Sequence, residues 1–220
     1  MRRARRFALS AAALLCAVGV AAAEPAELDE AVAALSAGWA HATYDIPDRR
    51  AQAADAERVA REAAALARRF PGRGEPLAWE GLLLLVQADA VHSLHSLSLI
   101  AQARRLLEQA RALDPNALGP GVIDANLGAL YAQAPGRPLS FGDKGKARRY
   151  FAQAIAAGPH ALETNYLYGE FLLQAGDAAG AAKALERAVH APPRHGMQAA
   201  DTARKAEAER LLAKARAATH

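Results

Sequence analysis

One pattern of residue sizes occurs four times in this chain, and it limits the possible fold more than any other feature. Three copies have identical spacing, and they are Ala103-Leu107-Ala110-Pro115, Ala147-Phe151-Ala154-Pro159 and Ala181-Leu185-Ala188-Pro193; a looser copy is Val59-Ala63-Leu66-Pro71. The first three members of each copy fall on one face of a helix, and the proline ends that helix. The prolines are 44, 44 and 34 residues apart. The chain is therefore predicted to fold as a series of similar helical units.

A second set of motifs precedes these copies and completes the repeat. Leu127-Gly128 is followed by Tyr131, Tyr168-Gly169 is followed by Leu172, and Trp79 is followed by Leu82. The combined pattern resembles the tetratricopeptide repeat (TPR), a pair of antiparallel helices. Alanine favours helix, and the aromatic residues favoured in strands make up only 5% of the chain. The sequence predicts an all-α, TPR-like right-handed α-solenoid of about four helical hairpins.

The boundaries of the repeats follow from the turn residues between them. We expect a single domain from residue 24 onwards, with repeats at about 27–71, 76–115, 119–159 and 161–193. A charged, alanine-rich segment at about 198–217 is predicted to be a capping helix with one polar face in water. The two earlier repeats carry about ten extra residues each, mostly around 88–100 and 134–143. Whether residues 27–70 form a true first repeat is left open by the sequence.

The first 23 residues have the composition of a cleavable signal peptide. Four arginines precede an apolar run from Phe7 to Val20, and Ala21-Ala22-Ala23 supplies a small-residue cleavage site. We therefore predict export to the periplasm with cleavage after Ala23, and no stable membrane span afterwards. Cleavage would also remove Cys16, the only cysteine in the chain. Lipidation of Cys16 is disfavoured because Leu15, which precedes it, is larger than the residue normally found there.

The predicted signal peptide also accounts for the basic character of the whole chain. The sequence has 27 basic and 23 acidic residues, and the first 23 residues contain four arginines and no acid. The predicted mature chain is therefore balanced in charge. Because nucleic-acid binding requires a basic face on the folded domain, a nucleic-acid partner is not predicted.

From about Trp79 onwards the chain resembles a family of exported, largely uncharacterised bacterial TPR proteins. The residues that carry the resemblance are Trp79-Glu80-Gly81, Leu113–Ala117, Leu127–Tyr131, the P-G-x-P-x-x-F-G-D loop at Pro135–Asp143, Asn165–Leu172, Ala191–Arg194 and Ala200-Asp201. The resemblance implies a periplasmic helical-repeat fold. A looser similarity, in architecture and loop style, connects the chain with the TPR subunit of tripartite periplasmic transporters.

The candidate binding residues are those expected on the inner face of the solenoid. In TPR solenoids the first helix of each pair lines a concave groove, and its polar and aromatic side chains meet the ligand. In this sequence the corresponding residues are Glu80, Gln87, Asn126, Gln133, Tyr166, Glu170 and Gln174. Tyr166 and Glu170 are four residues apart and should share a helix face. The alternative interpretation is an ordinary solvated helix face.

The loop at Pro135–Asp143 is the other candidate site, with Arg137, Phe141 and Asp143 as its residues of interest. Long loops in compact domains are often functional. A structural role is favoured, in which Asp143 caps the helix that starts at Lys144 while Leu139 and Phe141 fill the gap between helices. The segment Gly142–Ala147 is not a phosphate loop, because it lacks the required glycine spacing and the Ser or Thr.

Catalytic and metal motifs give no comparable pattern. His92 and His95 could share a helix face, but no third ligand stands at helical spacing beside them, so no metal or other cofactor is predicted. A hydrolase would need a histidine close to Ser140 in a pocket. We therefore predict a non-enzymatic protein that binds a protein or peptide partner in its concave groove. The alternative is a transport accessory that binds a small apolar ligand or docks a periplasmic solute receptor.

Overall fold

A computed structural model describes residues 20–91 and 94–219 of the chain. Nine α-helices and no β-strand occur within these residues. The helices are α1 (Val20–Tyr44), α2 (Arg49–Arg69), α3 (Gly74–Val91), α4 (Leu94–Leu113), α5 (Val122–Gln133), α6 (Lys144–Ala157), α7 (Leu162–Gln174), α8 (Ala178–Val189) and α9 (Gln198–Ala217). The predicted signal peptide lies outside the described residues except for its last four, which begin α1. His92 also lies outside them.

Successive helices pack in pairs, as the repeat pattern predicts. The pairs are α1 with α2, α3 with α4, α5 with α6 and α7 with α8, and α9 packs on α8. The fold is an all-α, TPR-like solenoid. Helix α5 begins three residues later than the predicted repeat start at 119. Gly119 and Gly121 both have positive φ, and Gly121 packs so closely on the Ala154 carbonyl that a Cβ could not fit.

The repeated small–large–small positions form the centre of each hairpin. Without their prolines, the three exact copies contain nine residues, and all nine are 0% exposed: Ala103, Leu107, Ala110, Ala147, Phe151, Ala154, Ala181, Leu185 and Ala188. In the looser copy, Val59 and Ala63 are also buried. The spacing identified in the sequence therefore marks the buried face of α2, α4, α6 and α8.

A glycine in the first helix of each pair faces a buried apolar residue of the second, which in the three exact copies is the large middle residue. A Cβ placed on the glycine would lie 2.9 Å from Val59 at Gly38, 3.0 Å from Leu107 at Gly81, 3.0 Å from Phe151 at Gly128 and 2.6 Å from Leu185 at Gly169. The two helices approach this closely because glycine has no side chain. The first hairpin, α1 with α2, also has a close glycine contact, but there the glycine meets Val59, the first member of the looser copy, and not its middle member Ala63.

The buried apolar residues divide into two main cores. The N-terminal core covers α1 to α5 and includes Trp39, which packs on Trp79 with ring centroids 5.8 Å apart. The C-terminal core covers α7 to α9 and includes Leu162, Leu185 and Leu212. Between them, on α6, Phe151 stacks on Phe171 at 4.8 Å and lies 5.5 Å from Tyr168. We call these three rings the Phe151 seam.

Helix α9 caps the last repeat and also reaches the first. Ala208, Leu212 and Ala215 belong to the C-terminal core, whereas Ala200 belongs to the N-terminal core. Helices α1 and α9 are in contact, so the solenoid curves far enough for its first and last helices to meet. The predicted capping helix is thus present at Gln198–Ala217, and it additionally connects the two cores.

Candidate functional site

A large pocket lies between α3, α4, α5 and α7, and Arg204 near the start of α9 borders it. Its volume is about 680 Å³. Its apolar wall is formed by side chains of α3, α4, α5 and α7, namely Leu85, Leu97, Ile100, Ala129, Leu130 and Leu167. We call it the inner pocket. Its size falls within the usual range for small-molecule and side-chain binding pockets, roughly 300–1,000 Å³.

Four of the predicted binding residues line this inner pocket together. They are Asn126, Gln133, Tyr166 and Glu170. The structure therefore brings Tyr166 and Glu170 to one face of α7, as their spacing predicted. The Asn126 side-chain amide donates to the Val122 carbonyl at 2.9 Å, which fixes the orientation of the amide in the pocket lining.

The other three predicted inner-face residues lie elsewhere. Glu80 is half-buried on α3, where the nearest opposite charge is Arg68 on α2, and it does not line the inner pocket. Gln174 borders a separate shallow hollow together with Lys144, Arg148 and Phe171. Gln87 is also absent from the lining of the inner pocket. The polar side chains of the first helices are thus distributed over more than one face.

Arg204 of α9 forms the polar end of the inner pocket, and the sequence analysis did not identify it. Its guanidinium donates to both carboxylate oxygens of Glu163, at 3.0 and 3.1 Å, and to Glu207 at 2.7 Å. It stacks over the Tyr166 ring at 4.3 Å and lies 5.7 Å from the Tyr44 ring of α1. We call this group the Arg204 seam, because it joins α1, α7 and α9.

Burial determines the electrostatics at this end of the pocket. The Arg204 side chain is only 13% exposed. Desolvation raises the pKa of Glu170; the charge of Arg204 opposes that rise, while Glu207 and Glu163 add to it. Desolvation likewise raises the pKa of Tyr166 to about 12. Tyr166 therefore remains a neutral phenol at physiological pH. Of the two groups, only Glu170 can carry a negative charge there, and partial burial disfavours that charge.

The loop residues Arg137, Phe141 and Asp143 line a second hollow of about 550 Å³, with Arg104, Tyr131 and Lys146. Asp143 caps α6 as predicted, because its carboxylate accepts from the Lys146 backbone N–H at 2.9 Å. Phe141 packs edge-on against Tyr131 at 5.4 Å, with Arg104 over its other side at 4.7 Å. Both contacts support the structural interpretation of this loop.

The predicted packing role of Leu139 is wrong. Its side chain is 78% exposed, and it does not fill the gap between helices. Phe141 alone occupies that position. The Gly136–Gly142 backbone bridge pulls the two ends of the loop together, and the turn between them points Leu139 outwards.

Three other arrangements would bear on function in the described part of the chain: a metal site, a Ser–His pair and a membrane-spanning helix. Within it, no three side chains of His, Cys, Asp or Glu are grouped as metal ligands would be. Among the same residues, histidine hydrogen bonds occur at His41 and His190, and neither involves Ser140. Over residues 20–91 and 94–219, every helix is too short or too polar to cross a bilayer.

Comparisons with known proteins agree with this architecture. The tetratricopeptide repeat family matches residues 139–200, which extend from the loop before α6 into the start of α9. The crystal structure of a thermophilic TPR protein from Thermus thermophilus is similar, with a TM-score of 0.54 and 17% identity over 85% of this chain and 94% of that chain. At that identity the similarity concerns the fold alone. None of the curated proteins matches this sequence.

Proposed function

We propose that this chain is an exported, non-enzymatic TPR-like scaffold that binds a protein or peptide partner in its inner pocket. Helical-repeat solenoids are typically interaction proteins, because their curvature creates an extended inner surface. The observation that carries the proposal is the pocket of about 680 Å³, in which one apolar wall meets several polar side chains. Such a combination can bury an anchoring side chain and also orient the chain that bears it.

The polar groups are placed where a bound segment would need hydrogen-bond partners. Gln133 stands at the exposed edge of the pocket, Asn126 on its floor, and Glu170 beside the Arg204 seam. An extended or helical segment lying across α5 and α7 could therefore place one side chain in the pocket. Its backbone would then meet Gln133 at the edge. Catalysis is not proposed for this surface.

Site-specific crosslinking in the producing cell tests the partner hypothesis. A photoreactive p-benzoylphenylalanine replaces Gln133 at the pocket edge, and the matched control replaces Gln174 on the other hollow. Both positions are glutamines that end the first helix of a pair. We expect a defined crosslinked partner from position 133 and none from position 174. Equal crosslinking from both positions, or none from position 133, would contradict the proposal.

Two substitutions test whether the pocket itself holds that partner. Tyr166→Ala removes an aromatic wall, and Glu170→Lys reverses a charge in the lining; both should reduce the yield of the crosslink at position 133 at least fivefold. The matched control is Glu209→Lys, the same change on an exposed face of α9. It should leave the crosslink unchanged, provided that circular dichroism shows all three variants to be folded.

The proposed periplasmic location is tested separately. N-terminal sequencing of the protein from an osmotic-shock fraction should begin at Glu24, the residue after the predicted cleavage site. Protein that remains with the cytoplasmic fraction and retains Met1 would contradict export. Neither result depends on the identity of the partner.

A transport accessory that binds a small apolar ligand is the second candidate function. It is favoured by the apolar wall formed by Leu85, Ile100 and Leu167. Native mass spectrometry of the purified mature chain distinguishes the two functions. A retained small molecule that is lost on Ala129→Trp, which fills the pocket, would support the accessory. Purified protein without such a molecule, together with a crosslink at position 133, would support the scaffold.

A further inference from the structure

One carboxylate in the inner pocket has no partner that matches its charge. Glu170 lines the pocket next to the apolar side chain of Leu167. Among the described residues no hydrogen bond or ion pair to its carboxylate occurs, and desolvation dominates its electrostatics. A carboxylate that is partly removed from water without such a partner loses some of its hydration, and that loss is offset when a cation or hydrogen-bond donor enters the pocket.

The neighbouring cation is already neutralised by other acids. Arg204 uses its Nε and Nη2 atoms on Glu163 and its Nη1 atom on Glu207. Only Arg204 and Glu170 line the pocket here, but with Glu170 ionised the Arg204 guanidinium is surrounded by three carboxylates, those of Glu163, Glu207 and Glu170. Asp89, at the opposite part of the lining, is paired with Arg49 at 2.7 Å and leaves that excess unchanged. The pocket therefore has a negative end that favours a positive group over a neutral or negative one.

The apolar wall sets the rest of the ligand's chemistry. Ile100, Leu130 and Leu167 offer a surface for methylene groups, whereas the carboxylate lies at one end of that surface. A long-stemmed cation buries its methylenes on apolar surface and keeps its charged head at a polar group. A primary alkylammonium has this shape. A carboxylate-bearing ligand would place like charges together, and an alcohol would leave the excess charge uncompensated.

We propose that the inner pocket selects a primary alkylammonium group, with its stem on Ile100 and Leu167 and its ammonium at Glu170. The inference rests on the proposed binding function of the same pocket and names the chemistry of its occupant. That chemistry belongs to a lysine side chain of a partner and equally to a small amphiphilic amine. Both sources are compared in the test below.

Three probes of equal chain length test the selection on the purified mature protein. They are n-hexylammonium, n-hexanol and n-hexanoate, titrated at pH 7.5 and followed by amide chemical shifts and isothermal calorimetry. We expect n-hexylammonium to bind about tenfold or more tightly than n-hexanol, and n-hexanoate to bind most weakly. Glu170→Gln should abolish the preference for the ammonium, so that n-hexylammonium binds no more tightly than n-hexanol. The matched control, Glu209→Gln, should retain the full preference.

The outcomes separate this inference from the proposed function. Equal affinity for n-hexanol and n-hexylammonium overturns the ammonium selection and leaves the pocket a binding surface. An unchanged preference in Glu170→Gln also overturns it. If none of the probes binds, both the selection and the use of the pocket are overturned. If the preference is present but no partner crosslinks at position 133, the scaffold function fails and the ammonium site stands.

A second pair of probes identifies the source of the ammonium. Acetyl-Gly-Lys-Gly-amide is compared with the same peptide carrying norleucine, which keeps the methylenes and removes the charge. Tighter binding of the lysine peptide than of n-hexylammonium, lost with norleucine, assigns the pocket to a partner's lysine. Tighter binding of n-hexylammonium, with no difference between the two peptides, assigns it to a small amine.

Discussion

The Phe151 seam packs α6 against α7 and the Arg204 seam joins α7 to α9 and α1, and the two do so by different physical means. Phe151 is wholly buried and contacts Tyr168 and Phe171, so its contribution comes from the removal of apolar surface from water. Arg204 is buried in an ion-pair network, where the attraction is largely cancelled by the loss of hydration. The comparison indicates that the first seam supplies stability, whereas the second fixes the position of α9 against α1 and α7.

The largest expected loss of stability comes from removing the central ring of the Phe151 seam. Phe151→Ala should lower the free energy of unfolding by about 4 kcal/mol, because the cavity would be enclosed by ring and alanine contacts that cannot close over it. Urea denaturation followed by circular dichroism measures the change. The control is Phe70→Ala at the half-exposed end of α2, which should cost less than half as much. Equal losses for both variants would contradict the importance of the seam.

Breaking the Arg204 seam should lower the free energy of unfolding somewhat less, and a second substitution should restore most of the loss. Arg204→Met leaves the buried carboxylate of Glu163 without its partner, and we expect a loss of about 3 kcal/mol. Replacing Arg204 and Glu163 together by methionine should restore most of that loss, because the net contribution of a buried ion pair is small. Denaturation of the single and double variants measures both values. A double variant as unstable as Arg204→Met would show that the ion pair is itself stabilising.

Helices α5 and α6 approach closely next to the Phe151 seam, and a substitution there should lower the free energy of unfolding by a smaller amount. Gly128→Ala would place a methyl group 3.0 Å from the Phe151 ring, and we expect a loss of about 1–2 kcal/mol despite the better helix propensity of alanine. In the Phe151→Ala background, where the ring is absent, the same Gly128→Ala change should cost little. A double-mutant cycle measured by thermal unfolding would then give a favourable coupling energy. Additive losses would contradict the steric explanation.

The smallest expected change in the free energy of unfolding comes from Glu170, beside the Arg204 seam, and it is an increase rather than a loss. Desolvation raises the pKa of Glu170 in the folded state. Its contribution to stability is therefore fully present below the unfolded pKa and is lost as pH rises through the folded pKa. Glu170→Gln stays neutral and should stabilise the protein at pH 7.5 by up to about 1 kcal/mol.

The pH dependence of this effect provides its control. The stability difference between Glu170→Gln and the unsubstituted chain should disappear as the pH falls below about 4, where both side chains are neutral. The exposed change Glu209→Gln should have little effect on thermal unfolding at either pH. A Glu170→Gln variant that is less stable at pH 7.5 would show that this carboxylate makes a favourable interaction in the folded protein.

The repeat architecture could be predicted from the sequence because its determinants are local. The spacing of Ala103, Leu107 and Ala110 specifies a helix face, and the proline that follows specifies where the helix ends. The same pattern in α6 and α8 gave both the number of hairpins and their buried faces. The cap at Asp143 was equally local and is confirmed by its hydrogen bond to Lys146.

The inner pocket was only partly predictable, because its lining depends on how helices rotate against their neighbours. Asn126 and Gln133 are seven residues apart and share a face, but nothing in the local spacing separates Glu80 from the pocket-lining residues. Arg204 left one weak signal. It stands four residues after Ala200 and four before Ala208, on the small-residue stripe that α9 buries. Glu207 is three residues away on the same helix, but Glu163, Tyr166 and Tyr44 come from helices distant in sequence, so the full network could not be inferred.

The meeting of α1 and α9 has a consequence for how the protein forms. The repeats can assemble from neighbours alone, but the charged end of the inner pocket requires Arg204 and Glu207 from α9, which follows all four hairpins along the chain. Contacts between distant parts of a chain carry the largest loop-closure cost and form late. The pocket should therefore mature after the hairpins, and a chain shortened before residue 198 would retain its repeats yet lack a finished binding surface.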